Sequence, residues 1–267
     1  MLSVVIATWN RRECLRGCLE RFRAQTDPRF EVVVAIDGST DGTVEMLAER
    51  APVLEFLLRW DDTGERRRYG LAKARNLGIR LAAGEAVAIL DDDAWPEPEF
   101  VEEHLRTVRP RTLTGGWRGS DDPRDALFEK MRHTLAVHGA CEPGPFREFV
   151  VENNTCMLRD DWLACGAFDE RLTRYGQIGQ DLYRRLVRLG YEYQFNPRAA
   201  VVVHREFDRR YPGKRAHRDP EPPGGWRDAL LDLYWESVRP RWMRVCRCLR
   251  GRRPPLEPGP PRSDAPR

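Results

Sequence analysis

Apolar strands and amphipathic helices alternate through the first 110 residues, and that alternation restricts the chain more than any other feature of it. Residues 2–7, 30–36, 53–58 and 86–90 read as strands, and residues 13–23, 43–50 and 71–81 read as helices. In the first helix Cys14, Leu15, Cys18, Leu19 and Phe22 fall on one face, the 3.6-residue spacing of a helix packed on one side. Strands that are apolar throughout have no solvent face. Alternating with helices, they form a mostly parallel sheet covered on both sides, an α/β architecture. Ligands of such sheets lie beyond the carboxyl ends of the strands. Three strands end there in polar groups: Thr8 and Asn10, then Asp37, Ser39 and Asp41, then Asp91, Asp92 and Asp93.

The three aspartates follow the run Ala-Val-Ala-Ile-Leu. A hard divalent cation takes oxygen ligands and commonly uses only one or two protein carboxylates, completing its shell with water and substrate phosphates. An acidic cluster at a strand end suits a metal and a diphosphate, although a solvated acidic turn has the same composition. A calcium loop is excluded, because Pro96 stands where the sharp glycine turn is needed and Trp95 replaces a ligand.

The chain has 267 residues, 41% apolar and 33% charged, as expected of a soluble globular protein. Its net charge of +3 gives no overall basic field for nucleic acid. The opening MLSVVIATWN has no basic stretch before an apolar core, and no segment reaches the length of a membrane span, so a cytoplasmic location is expected. Seven cysteines without a disulfide-framework spacing point to reduced thiols, and Cys246 and Cys248 lack zinc-type partners.

The middle of the chain is less regular. Residues 114–117 read as a glycine-containing turn, 123–137 as a helix, 141–145 as a loop, and 149–158 as a strand interrupted by Asn153 and Asn154. Residues 180–189 read as a helix with Leu182, Leu186 and Leu189 inward, and 199–203 as a strand ending at His204. Prolines 212, 220, 222 and 223 precede a basic segment from Trp226 to Leu249. Its arginines at 239, 241, 244 and 247 beside Trp242, Met243 and Val245 suit either packing on the parent domain or peripheral contact with an anionic membrane surface. The expected organisation is a domain in two halves, 1–110 and 111–206, then a linker and basic helix over 207–250, and a disordered proline- and arginine-rich tail over 251–267.

The ordered blocks SVVIATWNR, VVVAIDGSTDGT, AKARNLGIRLAAGEAVAILDDDAWPEP, NNTCMLRDDW with GAFDERL, and DLYRRLVRLGY with VVVHRE resemble those of family 2 glycosyltransferases with the GT-A fold. The resemblance covers roughly residues 1–206. It implies a nucleotide-sugar donor, an acceptor hydroxyl on a glycan, a lipid-linked sugar or a small molecule, and Mn²⁺ or Mg²⁺. It places Thr8, Asn10, Arg11 and Asp37 at the nucleoside, Arg75 near the nucleotide, Asp91 at the ribose or sugar, Asp92 among the donor-binding residues, and Asp93 with His204 at the metal. A carboxylate at Asp37 can accept the ring N–H of uracil, thymine or guanine, so the base stays open. The acceptor side falls on Asn153, Asn154, Trp162, Phe168, Asp169 and Glu170.

Inverting transfer needs a carboxylate to take the acceptor's proton. The family places an acidic pair two residues ahead of an Asp-Leu, here Asp181-Leu182, so the pair falls on Ile178 and Gly179. Either Asp181 takes over as base, or the chain binds nucleotide sugar without transferring it. Nucleotidyl transfer is a weaker alternative, since Thr-Trp-Asn-Arg stands where a glycine-rich phosphate loop would follow the first strand.

Overall fold

In a computed structural model of the protein, residues 1–66, 70–122, 124–173 and 177–204 are described. All lie in the first of two units, Met1–Asp219; the second is Pro220–Arg267. The basic helix and the tail expected over 207–267 lie outside the described residues. Among the described residues no helix is long and apolar enough to cross a membrane.

The first half runs β1 (Leu2–Thr8), α1 (Arg12–Arg21), β2 (Phe30–Ile36), α2 (Thr43–Arg50), β3 (Leu57–Asp62), α3 (Leu71–Leu81) and β4 (Ala86–Asp91). The second runs β5 (Ala94–Pro96), α4 (Phe100–Thr107), β6 (Thr112–Ser120), α5 (Ala126–His138), β7 (Gly144–Pro145), β8 (Thr155–Leu158), α6 (Arg159–Ala164), α7 (Gln177–Arg188) and β9 (Glu192–Val203). One sheet holds them all in the order β3-β2-β1-β4-β8-β6-β9-β5, with β7 against β9. Strands β3, β2, β1 and β4 are parallel, as are β6 and β9, whereas β8 runs antiparallel between β4 and β6. The sheet is therefore mixed, with its longest ladders parallel.

Every residue of β1 and β2 is buried. Successive side chains of a strand point to opposite faces, and here each face has its own core. Val4 and Ile6 join Leu15, Leu19, Phe22, Leu47 and Phe100 on one side. Val5, Val33, Val87 and Ile89 join Ile79, Trp162, Ile178, Leu182 and Leu186 on the other. The pairing runs in phase from Leu2↔Phe30 to Thr8↔Ile36 and from Leu2↔Ala86 to Ala7↔Asp91. That register brings Thr8, Asp37 and the aspartate run to one edge of the sheet.

Four expectations are corrected. The third strand begins at Leu57 rather than at residue 53, because Ala51–Val53 is a single 3₁₀ turn carrying Pro52. As an edge strand β3 alternates in burial, so a search for a continuous apolar run finds the wrong segment. Residues 114–117 are not a turn but the middle of β6. Glycine is needed there for close approach: a Cβ on Gly116 would lie 2.0 Å from the carbonyl oxygen of Ala199. The strand expected over 149–158 is confined to β8. Leu189 is exposed and follows the end of α7, while Leu182 and Leu186 point inward.

Candidate functional site

The chain leaves β4 at Asp91 and turns through Asp92 and Asp93 into β5. These three neighbours meet different surroundings. The Asp92 side chain is 1% exposed; the Thr8 hydroxyl donates to its Oδ2 at 2.8 Å, and Arg11 Nη1 lies 3.1 Å from Oδ1. Arg11, itself buried, also donates from Nη1 and Nη2 to Asp93 Oδ2 at 3.2 Å. Burial opposes charge on this guanidinium, but the carboxylates of Asp92 and Asp93 outweigh it and hold its pKa above the ordinary value. Arg11 and Thr8 thus fasten the loop after β1 to the aspartates.

Asp93 keeps its other oxygen. Among the described residues no group donates to Asp93 Oδ1, and the side chain is 11% exposed. His204, just past β9, donates its backbone N–H to the Asp93 carbonyl at 3.0 Å. Its ring stacks on Trp95 at a centroid distance of 3.6 Å, and Nδ1 is 3.4 Å from Asp121 Oδ2. Burial lowers the His204 pKa, opposed by Asp121, which leaves a neutral imidazole near pH 7. Among the described residues no three His, Cys, Asp or Glu side chains converge on one point. A single open carboxylate oxygen beside a neutral imidazole still fits a hard cation whose other ligands are phosphates and water.

Asp91 faces the other way. Its Oδ1 accepts from Arg75 Nη2 at 3.0 Å, and its Oδ2 from Asn153 Nδ2. Arg75, 1% exposed, forks to Glu152 Oε1 at 2.9 Å through Nη1 and lies over the Phe168 ring, 5.2 Å from its centroid. Asn76, the next residue, pairs with the backbone of Phe168 in both directions at 2.8 and 3.0 Å. Asn154 donates to the carbonyls of Trp117 and Ala199. Asn76 thus ties α3 to the segment after α6, and Asn154 ties the start of β8 to β6 and β9.

At the end of β2, Asp37 is buried and accepts from the Gly70 N–H at 2.9 Å and the Thr63 hydroxyl at 3.2 Å. Burial pushes its pKa up to about 6 in spite of these bonds. The folded value exceeds the ordinary value of about 3.9, so between these limits the native state holds more protons than the unfolded chain. The stability this group contributes is then full below about pH 4 and is lost as pH rises through about 6, by roughly 2–3 kcal/mol. Urea unfolding followed from pH 4.5 to 7 should show that fall in the parent and lack it in Asp37→Asn; equal profiles would exclude it.

Asn10, in the left-handed region at φ +49°, accepts from the Thr40 N–H at 2.7 Å and donates its own N–H to Ser39 Oγ at 3.0 Å. It ties the loop after β1 to the loop after β2. Asp41 does the same by accepting from the Arg12 N–H at 2.8 Å.

On α7 the buried residues are Ile178, Gly179, Leu182 and Leu186. Asp181 is two residues from 179 and therefore about 200° around the helix. Its Oδ2 accepts from Arg185 Nε at 2.7 Å, and Arg185 in turn donates to the carbonyls of Cys165 and Ala167 at 2.5 and 2.6 Å. Asp181 thus belongs to a fastening between α7 and the segment after α6, on a different face from Gly179. Position 179 faces Glu152: a Cβ there would lie 2.1 Å from Glu152 Oε2. Sequence reasoning passed over Glu152 and also Asp121. Neither has a local signal, because each acquires its meaning from a residue far along the chain.

The sequence model described as "Glycosyl transferase family 2" matches residues 3–162. The chain belongs to glycosyltransferase family 2. Among curated members, chondroitin synthase of Escherichia coli is 38% identical over 257 residues, covering 82% of this chain and 36% of that protein. Among solved structures, this family 2 chain is similar to the mannosyltransferase PcManGT from Pyrobaculum calidifontis, determined with GDP-Man and Mn²⁺, at 24% identity and TM-score 0.60 over 92% of this chain and 73% of that one. It is similar also to Staphylococcus aureus TarS 1-349 determined with UDP-GlcNAc, at 18% identity and TM-score 0.60 over 76% and 58%. These structural likenesses show the GT-A-like α/β fold. The chain spans 31%, 15% and 35% of the length of the first three curated relatives it matches.

Proposed function

We propose that the chain transfers a sugar, with inversion, from a nucleotide diphosphate to an acceptor hydroxyl, using Mg²⁺ or Mn²⁺. The observation that carries this reading is Asp93 Oδ1, open at the sheet edge where Thr8, Asp37 and Asp91 also end. Asp93, with His204 beside it, would hold the metal, and Asp37 would accept a ring N–H of the base. Asp91, oriented by Arg75 and Asn153, would meet the ribose or sugar. Asp92 and Arg11 would support these groups from behind, with Thr8 and Asn10 shaping the nucleoside loop. When bound, the cation supplies charge neutralisation for the departing diphosphate. Support comes from membership of the family and from neighbours whose structures contain nucleotide sugars.

Gly179, without a carboxylate, favours a second reading in which nucleotide sugar is bound and never transferred. Release of nucleoside diphosphate from UDP-, dTDP- and GDP-sugars, with Mn²⁺ or Mg²⁺ and with chelator, separates the two. Transfer predicts metal-dependent release from one donor, with water replacing the acceptor. Nucleotide binding without release from any donor would support the second reading.

A further inference from the structure

The family's acidic pair is missing from α7, yet the space in front of Gly179 contains a carboxylate. We propose that Glu152, delivered from the segment before β8, is the base that takes the acceptor's proton; this rests on the transfer reading above.

Two observations place it. A Cβ at residue 179 would lie 2.1 Å from Glu152 Oε2 and 2.7 Å from its carboxyl carbon. A side chain at 179 would push the Glu152 carboxylate out of this position, so the glycine lets the acid lie against the helix here. Second, one buried guanidinium, that of Arg75, bridges Glu152 Oε1 and Asp91 Oδ1 at 2.9 and 3.0 Å. Glu152 is thereby held one side chain from the residue assigned to the sugar.

The charge pattern suits the task. Oε1 is fixed by Arg75, and among the described residues no group donates to Oε2. The side chain is partly open to solvent. One oxygen is anchored and the other is available, as a positioned base requires. In the step itself the acceptor oxygen bonds to the anomeric carbon while that carbon's bond to the diphosphate oxygen breaks. The hydroxyl proton passes to Glu152 Oε2, and the electron pair leaves on the nucleoside diphosphate. Asp181 is less suited, since Arg185 holds it on another face of α7.

The test uses the full chain, and the probe is the UDP-, dTDP- or GDP-sugar from which the parent releases nucleoside diphosphate. Glu152→Gln should lower kcat for that release by about 10²–10⁴-fold, with the Kd for the matching nucleoside diphosphate in Mn²⁺ within about threefold of the parent. A residue that only neutralised Arg75 would instead weaken nucleotide binding and rate together, and that result would overturn the proposal. Returning an acid to the helix supplies a second variant: Glu152→Ala with Gly179→Asp should turn over at least about tenfold faster than Glu152→Ala alone. Equal rates for the two would count against Glu152, as would a rate loss on Asp181→Asn with Glu152→Gln unimpaired. An inactive parent would remove the transfer reading and this one with it, whereas an active parent with an active Glu152→Gln would remove this one alone.

Discussion

Replacing Arg75 by methionine is expected to destabilise the protein by about 3–5 kcal/mol, the cost of taking one partner from a buried ion pair. For a domain of this size that lowers the melting temperature by roughly 10 °C. The arginine is 1% exposed and paired with both Asp91 and Glu152, so its loss leaves two mostly buried carboxylates close together with no cation between them. Phe168 also loses the cation above its ring. The comparison is Arg16→Met, which removes an exposed arginine paired with Glu13 and should change stability by less than about 1 kcal/mol. Adding Glu152→Gln to Arg75→Met should recover part of the loss, because removing both partners strands less charge than removing one. Equal melting temperatures for Arg75→Met and Arg16→Met would show that the fork does not hold the site together.

That fork also marks the boundary of what the sequence makes legible. Elements that depend on local pattern are read well: β2, α2 and α3 have the bounds that periodicity assigns, and β1, α1 and β4 differ by one or two residues at their ends. The in-phase ends of β1, β2 and β4 follow from parallel pairing, which is why the cluster of Thr8, Asp37 and Asp91 is foreseeable. Distant contacts are not. Gly115 and Gly116 read as a turn because nothing nearby in sequence reveals that Tyr193 and Ala199 press against them. Glu152 stands beside two asparagines in an irregular stretch, and only the folded chain brings it to Gly179 and Arg75. The direction of Asp181 is different, because helical phase alone gives it. Leu182 and Leu186 define the inward stripe of α7, positions 178 and 179 share that stripe, and 181 lies off it.

The same reasoning divides the three aspartates, which look equivalent in sequence. Asp93→Ala should weaken Mn²⁺-dependent binding of the donor's nucleoside diphosphate by more than about 100-fold, since losing even an outer-shell partner of a metal typically costs 10–100-fold. Metal-free binding, which on the proposed reading draws on Asp37 and the loops, should change little. The fold should tolerate this substitution, because Arg11 keeps Asp92 as its partner. Asp92→Ala should have the opposite profile. It leaves the buried Arg11 with Asp93 alone, as Asp93→Ala leaves it with Asp92, but it also takes the acceptor from the buried Thr8 hydroxyl, so it should cost about 1–3 kcal/mol more stability than Asp93→Ala. Titration calorimetry with and without Mn²⁺, paired with thermal unfolding of each variant, measures both quantities. If Asp92→Ala abolished metal-dependent binding in a protein of parental stability, while Asp93→Ala bound normally, the assignment of metal ligand and structural support would be reversed. Exposure decides the expectation: the Asp92 oxygens face Arg11 and Thr8 with the side chain 1% exposed, whereas among the described residues no group donates to Asp93 Oδ1, whose side chain is 11% exposed.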